Sequence, residues 1–162
     1  MTSEPPTITG GCLCGAIRYK ILFSAAQWPP VSSTCQCTMC RKWTASLTAS
    51  FLILAPSQLT PPPSSRPEYK EFKSSPGRYR GFCCVCGSSL LWRSDDYTGT
   101  IDLFLGTIDE KWLVEDSETA RILAMPSGTQ FWMKNAVHGV TDLVKGGLEY
   151  QEEGPDGLGS TT

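Results

Sequence analysis

Short β-forming stretches separated by turn residues predict a chain made mostly of β-strands, and apolar and polar residues alternate in residues 16–23 and 100–105. The clearest of them cover residues 16–23, 69–73, 78–83, 88–93, 100–105 and 129–133. An alternation with a period of two residues places one face of a strand on the core and the other toward water. Residues 8–14 look extended, and residues 43–54 favour a strand over a helix. The pattern predicts a mostly β fold with little helix, including at most one helical turn within residues 110–117.

Proline, glycine and small polar residues separate these stretches and set the predicted domain limits. Residues 24–34 read as a loop, and the five prolines of residues 55–67 predict an exposed loop without regular structure. Residues 1–7 are predicted to be a flexible N-terminus, and the polar, glycine-rich residues 151–162 a disordered tail. Residues 8–150 then form a single domain, large enough to bury its own core.

The chain of 162 residues contains no apolar run of the length that a transmembrane helix needs, about 18 residues or more. Its first residues lack the basic and apolar segments of a secretory signal. We therefore expect a cytoplasmic protein without a membrane partner. Thiols stay reduced in that compartment, so closely spaced cysteines favour metal sites over disulfides.

The net charge of −2 hides a division between the two parts of the chain. Residues 1–93 carry 10 basic and 3 acidic side chains, whereas residues 94–162 carry 4 basic and 13 acidic ones. All eight cysteines lie in the basic part, where positive charge can compensate metal-bound thiolates. A nucleic-acid surface is the competing explanation, but the acidic pI of 5.4 and the absence of a Lys/Arg run argue against a nucleic-acid partner.

The cysteines fall into three groups, and two of these groups predict a four-thiolate zinc site. The predicted ligands are Cys12, Cys14, Cys83 and Cys86. On an extended strand Cys12 and Cys14 point to the same side, and Cys83-x-x-Cys86-Gly87 has the form of a zinc knuckle. Cys84 could replace Cys83, because Cys84-x-Cys86 repeats the spacing of the first pair; the commoner knuckle spacing favours Cys83. Disulfides or free buried thiols are the alternative.

The remaining group, Cys35-x-Cys37-x-x-Cys40, supplies only three ligands. A zinc site with three protein ligands keeps a position open for chemistry, whereas a closed site is structural. Three thiolates favour a soft sulfur ligand at that position, so an incoming thiol is the expected partner. Arg41 and Lys42 follow directly and could bind the carboxylates of a small anionic thiol such as glutathione. Alternatively, the three cysteines complete a structural site with Cys84 or His138, or bind no metal.

Other candidate residues also have structural explanations. His138, the only histidine, is more typical of a surface position than of a catalytic base. The five tryptophans are more typical of a core than of a binding surface. Four aspartates could act as acid or base, but turns and strand ends explain them equally: Asp95, Asp96, Asp102 and Asp109.

The chain contains four motifs in a fixed order: Gly10-Gly-Cys-Leu-Cys-Gly-Ala-Ile-Arg-Tyr19, Cys35-Gln-Cys-Thr-Met-Cys-Arg-Lys42, Arg80-Gly-Phe-Cys-Cys-Val-Cys-Gly-Ser-Ser-Leu90 and Gly106-Thr-Ile-Asp109. Together they resemble the glutathione-dependent formaldehyde-activating family, which also includes centromere protein V. Their consistent order covers roughly residues 8–145. Two departures from the family pattern are Gln36, where histidine is frequent, and Val137-His138, where Pro-Trp is frequent.

The resemblance implies a β-tent of two facing antiparallel sheets with zinc-stapled loops. It implies a structural zinc on Cys12, Cys14, Cys83 and Cys86, and a catalytic zinc on Cys35, Cys37 and Cys40. It further implies a carbon–sulfur lyase acting on the adduct of glutathione and formaldehyde, with glutathione as co-substrate. A non-catalytic zinc scaffold that binds another protein or an acidic polymer is the alternative function. Zinc storage or redox sensing by the three cysteines is a third.

Overall fold

The computed structural model describes residues 4–154, which fold into two β-sheets with two short α-helices. The strands in chain order are β1 Ile8–Gly11, β2 Arg18–Ile21, β3 Val31–Cys35, β4 Ala49–Leu54, β5 Leu59–Thr60, β6 Tyr69–Ser75, β7 Arg78–Cys83, β8 Ser89–Ser94, β9 Ile101–Phe104, β10 Thr129–Phe131 and β11 Leu148–Glu149. The helices are α1 Thr38–Thr44 and α2 Ser117–Ala124. The predicted fold class, mostly β in two sheets with little helix, is confirmed.

The small sheet has the strand order β1-β2-β5, and the large one the order β11-β10-β3-β4-β9-β8-β7-β6. Neighbouring strands are antiparallel except β10, which runs parallel to both β3 and β11. The two parallel pairings bring the C-terminal part of the chain beside β3, immediately before the three central cysteines. No helix in residues 4–154 is long and apolar enough to cross a membrane.

The large sheet has two apolar faces that serve different purposes. One face packs against the small sheet and forms the main core, with contributions from Ile8, Tyr19, Ile21, Leu52, Leu54, Leu91, Ile101 and Leu103. The opposite face forms a second cluster, which contains Phe51, Trp92, Phe104 and Phe131 together with Cys35 and Cys37. Side chains alternate between the faces along each strand, so neighbouring residues of β4, β8 and β9 separate into the core and the cysteine-containing cluster.

The largest error of the sequence prediction concerns residues 43–54, which are not one strand. Helix α1 ends at Thr44, Ala45 has a left-handed conformation with φ 52°, and β4 begins only at Ala49. The helix begins because the Cys37 side chain accepts a hydrogen bond from the Cys40 backbone N–H. This cysteine cap replaces the usual Ser, Thr, Asp or Asn signal, so capping rules do not reveal it.

Two segments predicted to be loops contain regular structure. Residues 31–34 belong to β3, and the proline-rich residues 55–67 form two 3-10 turns, Pro56–Gln58 and Pro63–Ser65, with strand β5 between them. Proline suits these turns because a first helical position needs no N–H donor. The prediction that this segment lacks regular structure is therefore wrong.

The C-terminal part of the chain departs from the prediction in two places, helix α2 and the end of β10. The helical turn predicted within residues 110–117 is a π-helical turn at residues 111–115. After it, Asp116 caps the unpredicted helix α2 by accepting the Thr119 N–H at 3.0 Å. Strand β10 stops at Phe131, because Trp132 has a left-handed conformation with φ 60°. Of the predicted tail, residues 151–154 lie along the domain, where the Glu152 carbonyl accepts the Trp132 N–H; residues 155–162, like residues 1–3 of the predicted flexible N-terminus, lie outside the described residues.

Candidate metal centres

The sulfur atoms of the four predicted structural ligands, Cys12, Cys14, Cys83 and Cys86, all lie within 4.8 Å of one another. The Cys12–Cys14 sulfur distance is 3.6 Å and the Cys14–Cys83 distance is 3.8 Å. Four sulfurs placed tetrahedrally around zinc, each at about 2.3 Å, lie roughly 3.8 Å apart. The number, chemistry and spacing of these donors therefore fit a zinc ion.

Tight turns on both arms shape this first cluster. Gly15 (φ 78°) and Gly87 (φ 76°) have left-handed conformations, which glycine adopts without steric cost. Their N–H groups donate to the Cys12 and Cys83 carbonyls at 3.0 and 2.8 Å. The Ile17 N–H lies 3.2 Å from the Cys12 sulfur, in the geometry that stabilises a thiolate. Each short motif thus sets the positions of its own two cysteines, and the tertiary structure brings the two pairs together.

Cys84 lies outside both clusters. Its side chain is exposed, its N–H donates to the Glu68 carbonyl, and its sulfur belongs to neither group of converging thiols. Cys83, by contrast, is fully buried at the end of β7. The structure therefore places Cys83 and not Cys84 beside Cys12 and Cys14.

Cys35, Cys37 and Cys40 form the second cluster, with sulfur atoms also within 4.8 Å of one another. Cys35 ends β3, Cys37 caps α1, and Cys40 lies one turn further along the helix. The Cys40 N–H lies 3.3 Å from the Cys37 sulfur, and the Cys37 N–H lies 3.5 Å from that of Cys35. In the described part of the chain, no fourth cysteine, histidine or carboxylate joins the group.

These contacts shift the pKa values of the thiols in different directions. Hydrogen bonds from Cys35 and Cys40, the Cys40 N–H and the positive charge of Arg80 together hold the pKa of Cys37 far below its usual value. The pKa of Cys35 rises, because its thiol donates to its two neighbours and is buried. Cys37 is therefore the first of the three to be a thiolate, and a metal would readily displace the remaining protons.

The positive charge at this cluster is Arg80, a residue that the sequence analysis did not single out. Its side chain is only 4% exposed, and both terminal guanidinium nitrogens lie 3.7 Å from the Cys40 sulfur. Its buried Nε has no hydrogen-bond partner among the described residues. A zinc ion with three thiolates carries a net charge of −1, which the permanent charge of Arg80 neutralises. Only the position of Arg80 at the start of a cysteine motif hinted at this role.

A narrow cavity of about 30 Å³ leads to the three sulfurs. It is mostly apolar, and its lining consists of Cys35, Cys37, Met39, Cys40, Phe51, Ile53, Arg80, Trp92, Asp102, Phe104 and Phe131. Met39, Arg80 and Trp92 also line a neighbouring, more polar cleft of about 260 Å³, which includes Arg78, Ser74 and Ser75. The two cavities therefore adjoin at these three residues, and the wider one contains basic and hydroxyl groups together with the Glu153 carboxylate.

Arg41 and Lys42, the predicted carboxylate-binding residues, occupy the last turns of α1. Neither side chain lines the narrow cavity or the neighbouring cleft. Their contribution to substrate binding stays a prediction. His138 is fully exposed and pairs with Asp142 at 2.9 Å, so it is not among the groups at the three sulfurs.

Gln36 lies between the first two cysteines of the cluster, and its side chain contacts the C-terminal segment. Its Oε1 accepts the Thr141 hydroxyl at 2.6 Å, and its Nε2 lies 3.4 Å from the Thr141 carbonyl. The Asn135 side chain donates to the Gln36 backbone carbonyl at 3.2 Å. The residue that departs from the family pattern therefore fastens residues 135–141 beside the cysteine loop and contributes no metal ligand.

Comparison with known proteins supports the relationship that the motifs suggest. The family described as "Glutathione-dependent formaldehyde-activating enzyme" matches residues 7–125, which is well over half of the chain. No curated protein sequence matches at a significant level. A crystal structure of a Rhodobacter sphaeroides protein is similar over 62% of this chain and 87% of that chain, with 16% identity and a TM-score of 0.49. A similarity this weak does not support an inference about function.

The matched segment contains all eight cysteines and both sulfur clusters. It also contains Arg80 and Asp102, which lie beside the second cluster. The relationship to centromere protein V stays a prediction, whereas the family predicted from the cysteine motifs is confirmed. The chain belongs to the glutathione-dependent formaldehyde-activating enzyme family.

Proposed function

We propose that this protein is a zinc-dependent carbon–sulfur lyase, which forms or cleaves the C–S bond of a glutathione adduct or a similar thiol adduct such as S-hydroxymethylglutathione. The observation that carries the proposal is the difference between the two clusters. The first offers four thiols, which complete a tetrahedral zinc shell; the second offers three, beside a cavity. Zinc bound to the second cluster would supply an open position that favours the deprotonated form of an incoming thiol.

The chain's own groups favour binding of the substrate sulfur in this cavity. Arg80 offsets the negative charge of Cys35, Cys37 and Cys40, so an additional thiolate meets less repulsion. Phe51, Phe104 and Phe131 exclude water, which strengthens this interaction. In the wider cleft that shares Arg80, Arg78 could bind a carboxylate of a peptide-like thiol in addition to its partner Asp96.

The first test measures zinc content and thiol binding in the wild type and in Cys37→Ser. Near two zinc ions per chain in the wild type and near one in the variant would support an open second site. Cobalt substitution then reports the fourth position: added glutathione shifts the absorption of the wild-type sample and leaves the variant unchanged. Cys84→Ser is the matched control, because this thiol is exposed and lies outside both clusters.

Catalysis is measured as the rate of formaldehyde exchange between its free form and its glutathione adduct, by exchange NMR. We expect the wild type and Cys84→Ser to accelerate exchange, and Cys37→Ser to lose the acceleration while keeping its fold. Retained acceleration in Cys37→Ser would refute the proposed site. Two zinc ions without any response to thiols would favour the non-catalytic scaffold.

A further inference from the structure

Asp102 lies on the same face of the large sheet as the second cluster, Cys35, Cys37 and Cys40. The strand register places Asp102 of β9 directly opposite Trp92 of β8 and opposite Ile53 of β4. On β7, Arg80 is in turn opposite Trp92. Directly opposite residues share a face, so these four side chains form one row across four strands. The row forms one wall of the narrow cavity.

Cleavage of a hydroxymethyl thioether requires proton transfer at a second atom besides sulfur. In the adduct R–S–CH₂–OH, the hydroxyl oxygen is separated from the sulfur by one carbon. A residue that removes the hydroxyl proton must therefore face the same cavity as the sulfur ligands. Arg80 is a permanent cation and cannot accept a proton. Besides the three thiols, Asp102 is the one residue among those lining this cavity that can exchange a proton.

We propose that Asp102 is the general acid–base residue of the carbon–sulfur bond reaction, a role that rests on the proposed function. In the cleavage direction the Asp102 carboxylate accepts the hydroxyl proton, and the O–H electron pair becomes the second bond of the carbonyl group. The C–S bond breaks with its electron pair on sulfur. The products are formaldehyde, the thiolate of R–SH and protonated Asp102. In the forming direction the thiolate attacks formaldehyde, and protonated Asp102 returns the proton to oxygen.

The surroundings of Asp102 suit a residue that both accepts and donates a proton. The neighbouring strands present Trp92 and Ile53, and the charged or titratable groups facing the cavity are Arg80 and the three cysteines. Burial raises the pKa of Asp102 to about 7, against the opposing charge of Arg80. A half-buried carboxylate in apolar surroundings is unfavourable for stability, so its presence here is better explained by chemistry than by packing.

The test is Asp102→Asn, which preserves size and polarity but cannot act as a base. Asp95→Asn is the matched control, because Asp95 is exposed and pairs with Arg93, away from the cavity. We expect Asp102→Asn to lower the exchange rate by about 10²–10⁴-fold and to remove the pH dependence that Asp102 imposes on the wild-type rate. Its zinc content and the thiol-induced change of its cobalt spectrum should stay at the wild-type level.

Three results would overturn the inference, and they differ from one another. An Asp102→Asn variant that exchanges formaldehyde at the wild-type rate would exclude the acid–base role alone. A variant that loses zinc or the response to thiols would give Asp102 a structural role. A wild-type protein that does not accelerate exchange would remove the proposed function, and the role of Asp102 with it.

Discussion

Replacement of Asp102 by asparagine should make the protein more stable above neutral pH, even as it removes activity. Burial raises the Asp102 pKa from 3.8 to about 7, so the folded chain disfavours the ionised carboxylate relative to the unfolded chain. At about 1.36 kcal/mol per unit of pKa, the ionised carboxylate lowers the free energy of unfolding by at most about 4 kcal/mol, a limit reached above about pH 7. Because the side chain is only half-buried, solvent screening reduces the expected gain to about 1–2 kcal/mol.

The sign of the pH dependence follows from the same linkage. The destabilisation is absent below pH 3.8, grows as the pH rises, and is complete above about pH 7. The advantage of Asp102→Asn over the wild type should therefore be larger at about pH 8.5 than at about pH 6. Because the wild type and the variant are compared at the same pH, their cysteine clusters contribute equally to the stability of both proteins.

The assay is the midpoint of thermal unfolding, Tm, for zinc-loaded wild type and variant. For a chain of this size 1 kcal/mol corresponds to about 2–4 °C, so Tm should rise by about 2–8 °C at the higher pH. Asp95→Asn, an exposed change, should stay within about 0.5 kcal/mol of the wild type. An Asp102→Asn variant with a lower Tm than the wild type at both pH values would show that the carboxylate stabilises the fold, and would refute this reasoning.

Two further predictions concern the metal sites. Arg80→Met keeps much of the side-chain volume but removes the charge beside Cys40, so we expect about 10–100-fold weaker zinc binding at the second cluster, measured by competition with a chelator; unchanged affinity would show that the guanidinium does not support the site. Cys86→Ser removes a ligand of the four-sulfur cluster and should lower Tm strongly and make folding depend less on zinc, whereas Cys84→Ser should leave both unchanged. Equal effects of the two serine variants would contradict the placement of Cys83 and Cys86 in that cluster.

Local spacing explains why the sequence alone predicted so much of the candidate metal chemistry. Cys12 and Cys14 lie in the tight turn that follows β1 rather than on the predicted strand, and Cys37 and Cys40 lie one helical turn apart, so each motif nearly determines its own geometry. Turn residues between short β-forming stretches similarly predicted β6, β7, β8 and β9. The same reasoning failed for α1, since its cap is a cysteine and its length is only seven residues.

Only the tertiary structure determined which distant segments lie together. Arg80 and Cys40 are 40 residues apart, and the contact exists because the β7–β8–β9–β4 register carries Arg80 onto the cysteine face. The same register brings Asp102, whose sequence position is equally compatible with a strand end, into the cavity of the three sulfurs. A shift of one residue would turn both side chains to the opposite face. The sequence by itself determined which atoms can hold metal, because ligand spacing is local; the sheet register decided which charges surround them, because it depends on pairings across the whole chain.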